Sequence, residues 1–311
     1  MLSRVADSVF WMARYMERTN GMLRLLRTNY VSSQDEVIDF SWQQVLRTYS
    51  DLSHEETIDL EKNSSKVIEH LVLDRDNSAS VFNNVTRARE NARAVQDHIT
   101  KEVWQCLNDY YHLIRTDQIQ EQIQFGDPVS ALDSLIHHGM LYHGTVDITM
   151  ARGEGFNYLN MGKFLERAFL SADMLNIKLK ELNYNLQQPV EIPALRYLLY
   201  SLSGYELYLK THRSNFQVDF VLQHILYNTN FPHSVLYCLQ QISRYFERLK
   251  TESLPESYEQ LEFLIGRAMN NVKYSNIQPQ DSEGLKQLLQ QTRNELFGIA
   301  NGLDKYYFGN S

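Results

Sequence analysis

A charged and aromatic sequence pattern occurs twice in this chain, and it constrains the fold more than any other feature. The first copy is Trp11-Met-Ala-Arg-Tyr-Met-Glu-Arg-Thr19, and the second ends the segment Thr149–Ala168 as Gly-Lys-Phe-Leu-Glu-Arg-Ala. Aligning Glu166 with Glu17 gives an offset of 149 residues, with a basic residue three positions before each glutamate. Internal repeats determine the architecture of a chain, so this match constrains the fold more than any local pattern does.

A second pair of similar segments supports the first. Asn77-Ser-Ala-Ser-Val-Phe82 resembles Phe231-Pro-His-Ser-Val-Leu236, with an offset of 154 residues. Two matches in the same order predict two pseudo-repeated halves, residues 1–150 and 151–311, within one domain. The alternative is chance similarity between two amphipathic helices. The run of basic, aromatic, apolar, Glu and Arg is more specific than helix composition, so we favour duplication.

Hydrophobic spacing predicts an all-α fold, a multi-helix bundle of about ten to twelve helices. Apolar residues recur three and four apart through the first helix, about residues 3–30, and a second apolar stripe lies beside the first. A helix that is apolar on two faces is expected to be central. No segment alternates with period two for long enough to predict a strand, and most of the six prolines and thirteen glycines lie at breaks.

Most helix boundaries follow from the same pattern. Asp127-Pro128 predicts a helix start, since proline at the first helical turn lacks an N–H that would be unpaired there anyway. The same pattern predicts a helix over 37–52, a polar loop over 53–65, one helix from Ser78 or Ser80 to about 115, a mobile Gln-rich connection over 116–126, a helix over about 156–182 and one helix over 194–211.

Composition narrows the classes of function. The net charge of −8 and the pI of about 5.7 argue against nucleic-acid binding, which needs a positive surface. No apolar run approaches the ~20 residues that a membrane span requires, and Asp7 and Arg14 interrupt any signal-peptide core. Cys106 and Cys238 lie in apolar helical patterns and are expected to be buried, reduced thiols. We therefore expect a cytoplasmic protein with no membrane or nucleic-acid partner.

The two motif glutamates, Glu17 and Glu166, are the candidate catalytic residues. Each shares a helix face with the basic residue three positions earlier. Two interpretations stay open: paired carboxylates in a polar pocket, or ion pairs that lock helices together. The basic residues of the two motifs, which would bind substrate in the first interpretation, are Arg14, Arg18, Lys163 and Arg167.

Two further clusters are candidate substrate-binding residues. One is Arg87, Arg89, Glu90 and Arg93, whose arginines could hold a carboxylate or phosphate in bidentate fashion, although a solvated helix face has the same composition. The other is Arg152 and Glu154, where backbone N–H groups at a helix start could bind an anion. A plain helix–helix turn, with the acid near the positive end of the helix dipole, explains that second cluster as well.

Other chemistries lack the residues they need. No glutamate is followed by histidine three residues later, as in di-metal helical bundles. His137, His138 and His143 lie near Asp133 in sequence, but no second acid–histidine pair matches them, so we expect no metal and no other cofactor. There is no Gly-x-Ser-x-Gly motif for nucleophilic catalysis.

The motifs together resemble the bacterial alpha-E domain family over nearly the whole chain. The segments that carry the resemblance are Met1-Leu-Ser-Arg4, the two Glu-Arg motifs, Arg152-Gly-Glu-Gly155, Arg89-Glu-Asn-Ala-Arg-Ala94 and Asp74-Arg-Asp-Asn-Ser78. Phe156 and Lys163 depart from it, where Trp and Arg are expected, as does the run Ser80-Val-Phe82. The resemblance implies an all-helical fold and a genomic association with ATP-grasp amide ligases, transglutaminase-like proteases and proteasome-like peptidases. It also implies that the arginines of 87–93 join Glu17 and Glu166 in one pocket.

Three functions remain as hypotheses. The first is a helical partner or co-catalytic subunit of an ATP-grasp amide or peptide ligase, with a Glu/Arg pocket for an amino acid, a peptide end or an acyl-phosphate. The second is a stand-alone enzyme that uses paired glutamates as acid and base. The third is a structural scaffold in which every Glu-Arg motif is an internal tie. Closed, fully paired carboxylates would favour the third.

Overall fold

The computed structural model describes residues 1–34, 41–181, 183–185, 192–213, 215–250, 255–275 and 281–309. Within these ranges the chain forms fifteen α-helices, a 3₁₀ turn and a π-helical turn, and it contains no strand. The prediction of an all-α fold is confirmed, and the count of ten to twelve helices was too low.

The helices are as follows, in chain order: α1 Ser3–Ser33, α2 Gln43–Tyr49, α3 His54–Leu60, α4 Ser64–Val72, α5 Val81–Ala94, α6 Lys101–Leu113, α7 Asp117–Phe125, α8 Pro128–Thr149, α9 Glu154–Glu181, α10 Ile192–Ser201, α11 Tyr205–His212, α12 Val218–Tyr227, α13 Val235–Glu247, α14 Glu256–Lys273 and α15 Ser282–Leu303. The 3₁₀ turn is Gln96–His98, and the π-helical turn is Asp304–Phe308.

Two helices form where a polar loop and a mobile connection were predicted, so both predictions were wrong. Ser53 and Glu56 form a capping box, each side chain accepting the other's backbone N–H, and this box starts α3. The hydroxyl of Thr116 accepts the N–H of Ile119 and starts α7. Side-chain caps satisfy backbone N–H groups that the helix leaves unpaired, so these short helices form despite their polar sequences.

Three predicted helices are shorter or broken. The long helix expected to reach residue 115 ends at Ala94, and α6 starts afresh after Thr100 caps it. The helix expected over 194–211 is interrupted between α10 and α11, where Ser203 takes a left-handed φ of 54°. Of the helix expected over 37–52, only α2 is helical among the described residues, since residues 41–42 and 50–52 are not helical and residues 37–40 lie outside the described ranges.

The chain divides into two compact units. The middle unit is Tyr15–Ala151, and the terminal unit combines Met1–Arg14 with Arg152–Ser311. Helix α1 supplies residues to both units, its first twelve to the terminal unit. That the halves arose by duplication stays a prediction.

The two similar serine segments adopt the same local structure. The N–H of Ser80 bonds the carbonyl of Asn77, and its hydroxyl caps α5. The N–H of Ser234 bonds the carbonyl of Phe231, and its hydroxyl caps α13. Both serines are fully buried, so each segment is a tight turn that starts a helix.

In the terminal unit, α9 packs tightly against the start of α1. A Cβ added at Gly162 would lie 2.4 Å from the carbonyl oxygen of Phe10, so only glycine permits this approach. Cys106, in the middle unit, and Cys238, in the terminal unit, are both buried thiols, as expected. Among the described residues, no helix has the length and apolar character needed to cross a membrane.

Candidate functional site

In the terminal unit, the second motif glutamate forms a buried ion pair. The Nε of Arg14 donates to the Oε2 of Glu166 over 2.8 Å, and the two residues are only 6 % and 4 % exposed. The Arg14 guanidinium also lies over the ring of Trp11, 4.5 Å from its centroid. The pair joins the basic residue of the first motif to the acid of the second. Buried charges persist when they are paired, so this contact ties α1 to α9.

Two further acids lie near this ion pair. Burial raises the pKa of Asp173, Arg293 opposes that shift with a 2.9 Å hydrogen bond, and the charge of Glu166 adds to it. Burial also raises the pKa of Asp304, which the positive charge of Arg14 opposes. The interior of the terminal unit therefore holds a set of acids that two arginines partly neutralise.

In the middle unit, the first motif glutamate faces a histidine. The Oε2 of Glu17 lies 3.3 Å from the Nε2 of His143 on α8. The glutamate side chain is 1 % exposed and the histidine side chain 23 % exposed. The imidazole thus stands between a buried carboxylate and solvent, an arrangement suited to moving a proton.

Two buried polar side chains, Asn20 and Tyr142, lie in the same unit as Glu17. A Cβ at Gly139 would lie 1.7 Å from the Oδ1 of Asn20, so this glycine makes room for the amide. Neither the Asn20 amide nor the Tyr142 hydroxyl has a hydrogen-bond partner among the described residues. Burial raises the pKa of Tyr142, and the charges of Cys106 and Glu17 add to that shift. The tyrosine is therefore a neutral hydroxyl at physiological pH.

The Cys106 thiol lies in the same unit and is buried. Burial raises its pKa, against a weaker opposing hydrogen bond with Thr145. The thiolate is the reactive form, and burial disfavours it.

The predicted arginine cluster of α5 lies largely on the surface. Arg89 donates to the Oδ1 of Asn108 over 3.0 Å and to Glu90 over 2.8 Å, and Arg93 contacts the same glutamate at 3.4 Å. Glu90 and Arg93 are exposed. These contacts run along α5 and α6 and match the solvated-face interpretation for Glu90 and Arg93.

Arg87 and Arg18 share one aromatic ring. Their guanidinium carbons lie 5.8 and 5.9 Å from the ring centroid of Tyr15. Arg87 is exposed and Arg18 is half-buried. Two positive groups thus flank a tyrosine that lies two residues before Glu17.

The remaining predicted residues belong to the terminal unit. Arg152 is exposed and lies over the ring of Phe156, 4.1 Å from its centroid, and the exposed Glu154 pairs with the ammonium of Met1 at the start of α9. The plain helix–helix turn therefore describes this segment better than an anion site.

The other two motif cations of this unit are half-buried, and both lie against Phe164. Lys163 is 4.6 Å from the ring centroid, and Arg167 is 5.3 Å from it. Arg167 also donates to the carbonyl of Pro232 over 3.4 Å. The ring contacts lie along α9, and the Pro232 contact joins Arg167 to the turn that precedes α13.

Sequence reasoning missed the partner of Glu17. His143 was considered only for a metal site, and the described residues contain no group of three His, Cys, Asp or Glu side chains that could hold an ion. One signal was available in the sequence. His143 lies four residues after Gly139 and so shares a face of α8 with it, and Gly139 is where Asn20 of α1 approaches α8. A third Glu-Arg pair, Glu247-Arg248, was also overlooked, and it is exposed on α13. Its exposure distinguishes this pair from the motif glutamates Glu17 and Glu166, which are buried.

The described residues are all-helical, and each of the two repeated Glu-Arg motifs has a buried glutamate. A comparison with protein families identifies the family of helical proteins to which the chain belongs. The Alpha-E family, described as a predicted alpha-helical domain with a conserved ER motif, matches residues 1–308. The chain belongs to this family, which confirms the resemblance drawn from its motifs. No curated protein and no solved structure matches the chain.

Proposed function

We propose that this protein is a co-catalytic helical partner of an ATP-grasp amide ligase that acts in the cytoplasm. The partnership rests on the association with such ligases that the family resemblance implies. The observation that carries the catalytic part of the proposal is the Glu17–His143 pair. It joins a buried carboxylate to an imidazole that reaches solvent.

The chemistry of amide ligation needs a proton acceptor. An amine attacks an acyl-phosphate, the C–N bond forms, and phosphate leaves with the electrons of the C–O bond. The proton lost by the amine must go to a base, and a positioned histidine supplies this function in many enzymes. Since Nε2 of His143 faces Glu17, the other ring nitrogen, Nδ1, accepts the proton. The negative charge of the carboxylate stabilises the imidazolium that forms.

The same unit also carries positive charge of the kind that binds an acyl-phosphate. Arg18 and Arg87 flank Tyr15 in the same unit, and guanidinium groups bind phosphate with paired hydrogen bonds. The roles of the two motif glutamates differ in this proposal. Glu17 supports catalysis, while Glu166 is held by Arg14 and serves the fold.

A structural scaffold is the second candidate, because the Arg14–Glu166 pair is closed and buried. If Glu17 is a tie of the same kind, the chain has no chemical role. The scaffold and the co-catalytic partner predict different results for substitutions that leave the chain folded.

The test is ATP-dependent amide formation by a candidate ATP-grasp ligase from the same cells, with and without this protein. We expect His143→Gln and Glu17→Gln to lower the rate about a hundredfold, the typical contribution of one positioned acid–base group. His137→Gln is the matched control, since it makes the same change at an exposed position of α8.

Two outcomes would overturn the proposal. Full activity from folded His143→Gln and Glu17→Gln variants would reduce Glu17 to a structural tie. Amide formation, hydrolysis or transfer by the isolated protein would make it a stand-alone enzyme.

A further inference from the structure

A row of arginines and aromatic rings lies on the surface of the middle unit, along α5 and α6. The guanidinium carbons of Arg75, before α5, and Arg115, after α6, lie 5.0 and 5.5 Å from the ring centroid of Phe82. Arg115 also lies 4.8 Å from the ring centroid of Tyr111, and Arg89 lies 4.5 Å from that second centroid. Three guanidinium groups thus alternate with two rings that they share.

The first two arginines of this row have no acidic partner. Within the part of the chain that the structure describes, neither Arg75 nor Arg115 forms an ion pair. Asp74 and Asp76 flank Arg75 in sequence, but Asp74 is hydrogen-bonded to His70 over 2.8 Å. Both arginines are exposed. Since a guanidinium carries five N–H donors, most of theirs are available to a partner.

Arg89 continues the row along α5. Its Nε donates to the Oδ1 of Asn108 on α6 over 3.0 Å, and its Nη1 lies 2.8 Å from Glu90. Arg93, one turn further along α5, contacts the same glutamate at 3.4 Å. Glu90 is therefore the one described acid that forms an ion pair with any of the four arginines. The row extends ~16 Å from Phe82 to Arg93, at 1.5 Å per residue of helix.

We infer that this row binds an extended, acidic segment of another protein. Guanidinium groups bind carboxylates with paired, charge-assisted hydrogen bonds. An extended chain places every second side chain on one side, ~7 Å apart, so a row of ~16 Å can meet three carboxylates. The rings hold the guanidinium groups in place before binding, which lowers the entropy that binding costs.

Single-stranded nucleic acid fits this surface less well. Its bases need free ring faces on which to stack. Phe82 is only 7 % exposed beneath its two arginines, and Tyr111 is half-buried between two. The inference of an acidic protein segment does not depend on the proposed ligase function.

Fluorescence anisotropy of a labelled peptide tests the surface on the full chain. The probe is an octapeptide of alternating glutamate and serine, and the same peptide with glutamine in place of glutamate is the uncharged comparison. We expect saturable binding of the acidic peptide that weakens as the salt concentration rises, because salt screens exposed charges. The glutamine peptide should bind about tenfold more weakly or less, since it lacks the charge-assisted contacts.

Substitutions of the two unpaired arginines locate the site. Arg75→Gln and Arg115→Gln should each weaken binding about threefold, as expected for exposed ion pairs, and the double variant about tenfold. Arg248→Gln is the matched control, because Arg248 is also an exposed arginine over a ring, 5.2 Å from the centroid of Tyr245 in the terminal unit. This control should bind the acidic peptide normally.

Three results would overturn the inference. The first is no change in anisotropy with the acidic peptide at low salt. The second is unchanged affinity in a folded double variant, or an equal loss in Arg248→Gln. The third is a labelled oligothymidylate of eight nucleotides that binds more tightly than the peptide and loses affinity in the same variants, which would identify a surface for single-stranded nucleic acid.

Discussion

Replacing Glu166 by glutamine removes one charge of the buried ion pair and keeps the shape of the side chain. At 2.8 Å, two unit charges attract by about 6 kcal/mol at an effective dielectric constant of ~20. The desolvation of both ions offsets part of this attraction, and glutamine still accepts one hydrogen bond from Arg14. We therefore expect a loss of ~3 kcal/mol in the free energy of unfolding, the lower end of the usual ~3–5 kcal/mol for breaking a buried pair.

Urea unfolding followed by circular dichroism measures this loss. In thermal unfolding, each kcal/mol of lost stability lowers the melting temperature of a chain of this size by about 2 °C, so the melting temperature should fall by ~6 °C. Arg14→Met should destabilise the fold by at least as much, because it leaves Glu166 buried without its counter-charge. The double variant should lose less than the sum of the two single variants, since residues in contact are not additive.

The exposed Glu-Arg pair of α13 supplies the control. Glu247→Gln makes the same chemical change outside the core and should leave the unfolding transition unchanged. If Glu166→Gln unfolds at the same urea concentration as Glu247→Gln, the ion pair does not hold α1 to α9. Additive losses in the double variant would contradict a direct interaction between the two side chains.

Four further predictions concern packing, backbone freedom, capping and pH. Gly162→Ala should destabilise the fold by ~1–3 kcal/mol in urea unfolding, because its Cβ would overlap the Phe10 carbonyl. Gly266→Ala, with open space around the added carbon, should instead stabilise it by ~0.5–1 kcal/mol. Ser80→Ala should cost ~1 kcal/mol by the same assay, since the cap of α5 is lost. Burial, helped by the charge of a neighbouring histidine, lowers the pKa of His224 from 6.5 to about 4. The unfolded chain therefore takes up this proton first as pH falls, and about 3 kcal/mol should be lost between pH 6.5 and 4. His224→Phe should flatten that decline in unfolding measured across this range, and an unchanged slope would contradict the assignment.

Local signals in the sequence predicted much of the fold. The spacing of apolar residues indicated helices throughout, and Asp127-Pro128 marked the start of α8 correctly. The two apolar stripes of α1 indicated that a charged stripe on it would be enclosed, and Glu17 is buried. These predictions were correct because each depends on residues within one or two helical turns.

The sequence-based predictions were wrong for the short helices α3 and α7, and the reason is physical. Helix α3 buries only Thr57, and α7 buries only Ile119 and Ile123, so neither has a long apolar stripe. Their caps were visible in the sequence as Ser53-x-x-Glu56 and as Thr116, and those were the signals to use.

The candidate sites were harder to predict because their contacts are not local. Glu17 and His143 lie on helices far apart in sequence, and no periodic pattern states which helices meet. The same holds for Arg14 and Glu166, although their places in the two motifs suggested an ion pair between helices as one alternative. Glu295 belongs to no motif either, and its burial on α15 follows from the packing of the helices.

The most direct test of a ligase partnership is recovery of the tagged chain from its own cells, with the bound proteins identified by mass spectrometry. We predict that an ATP-grasp ligase is enriched over a control bait, and that ATP-dependent amide formation by the purified pair exceeds that of the ligase alone. The partnership would be contradicted if the folded chain binds no ATP-grasp ligase and leaves the activity of the purified ligase unchanged.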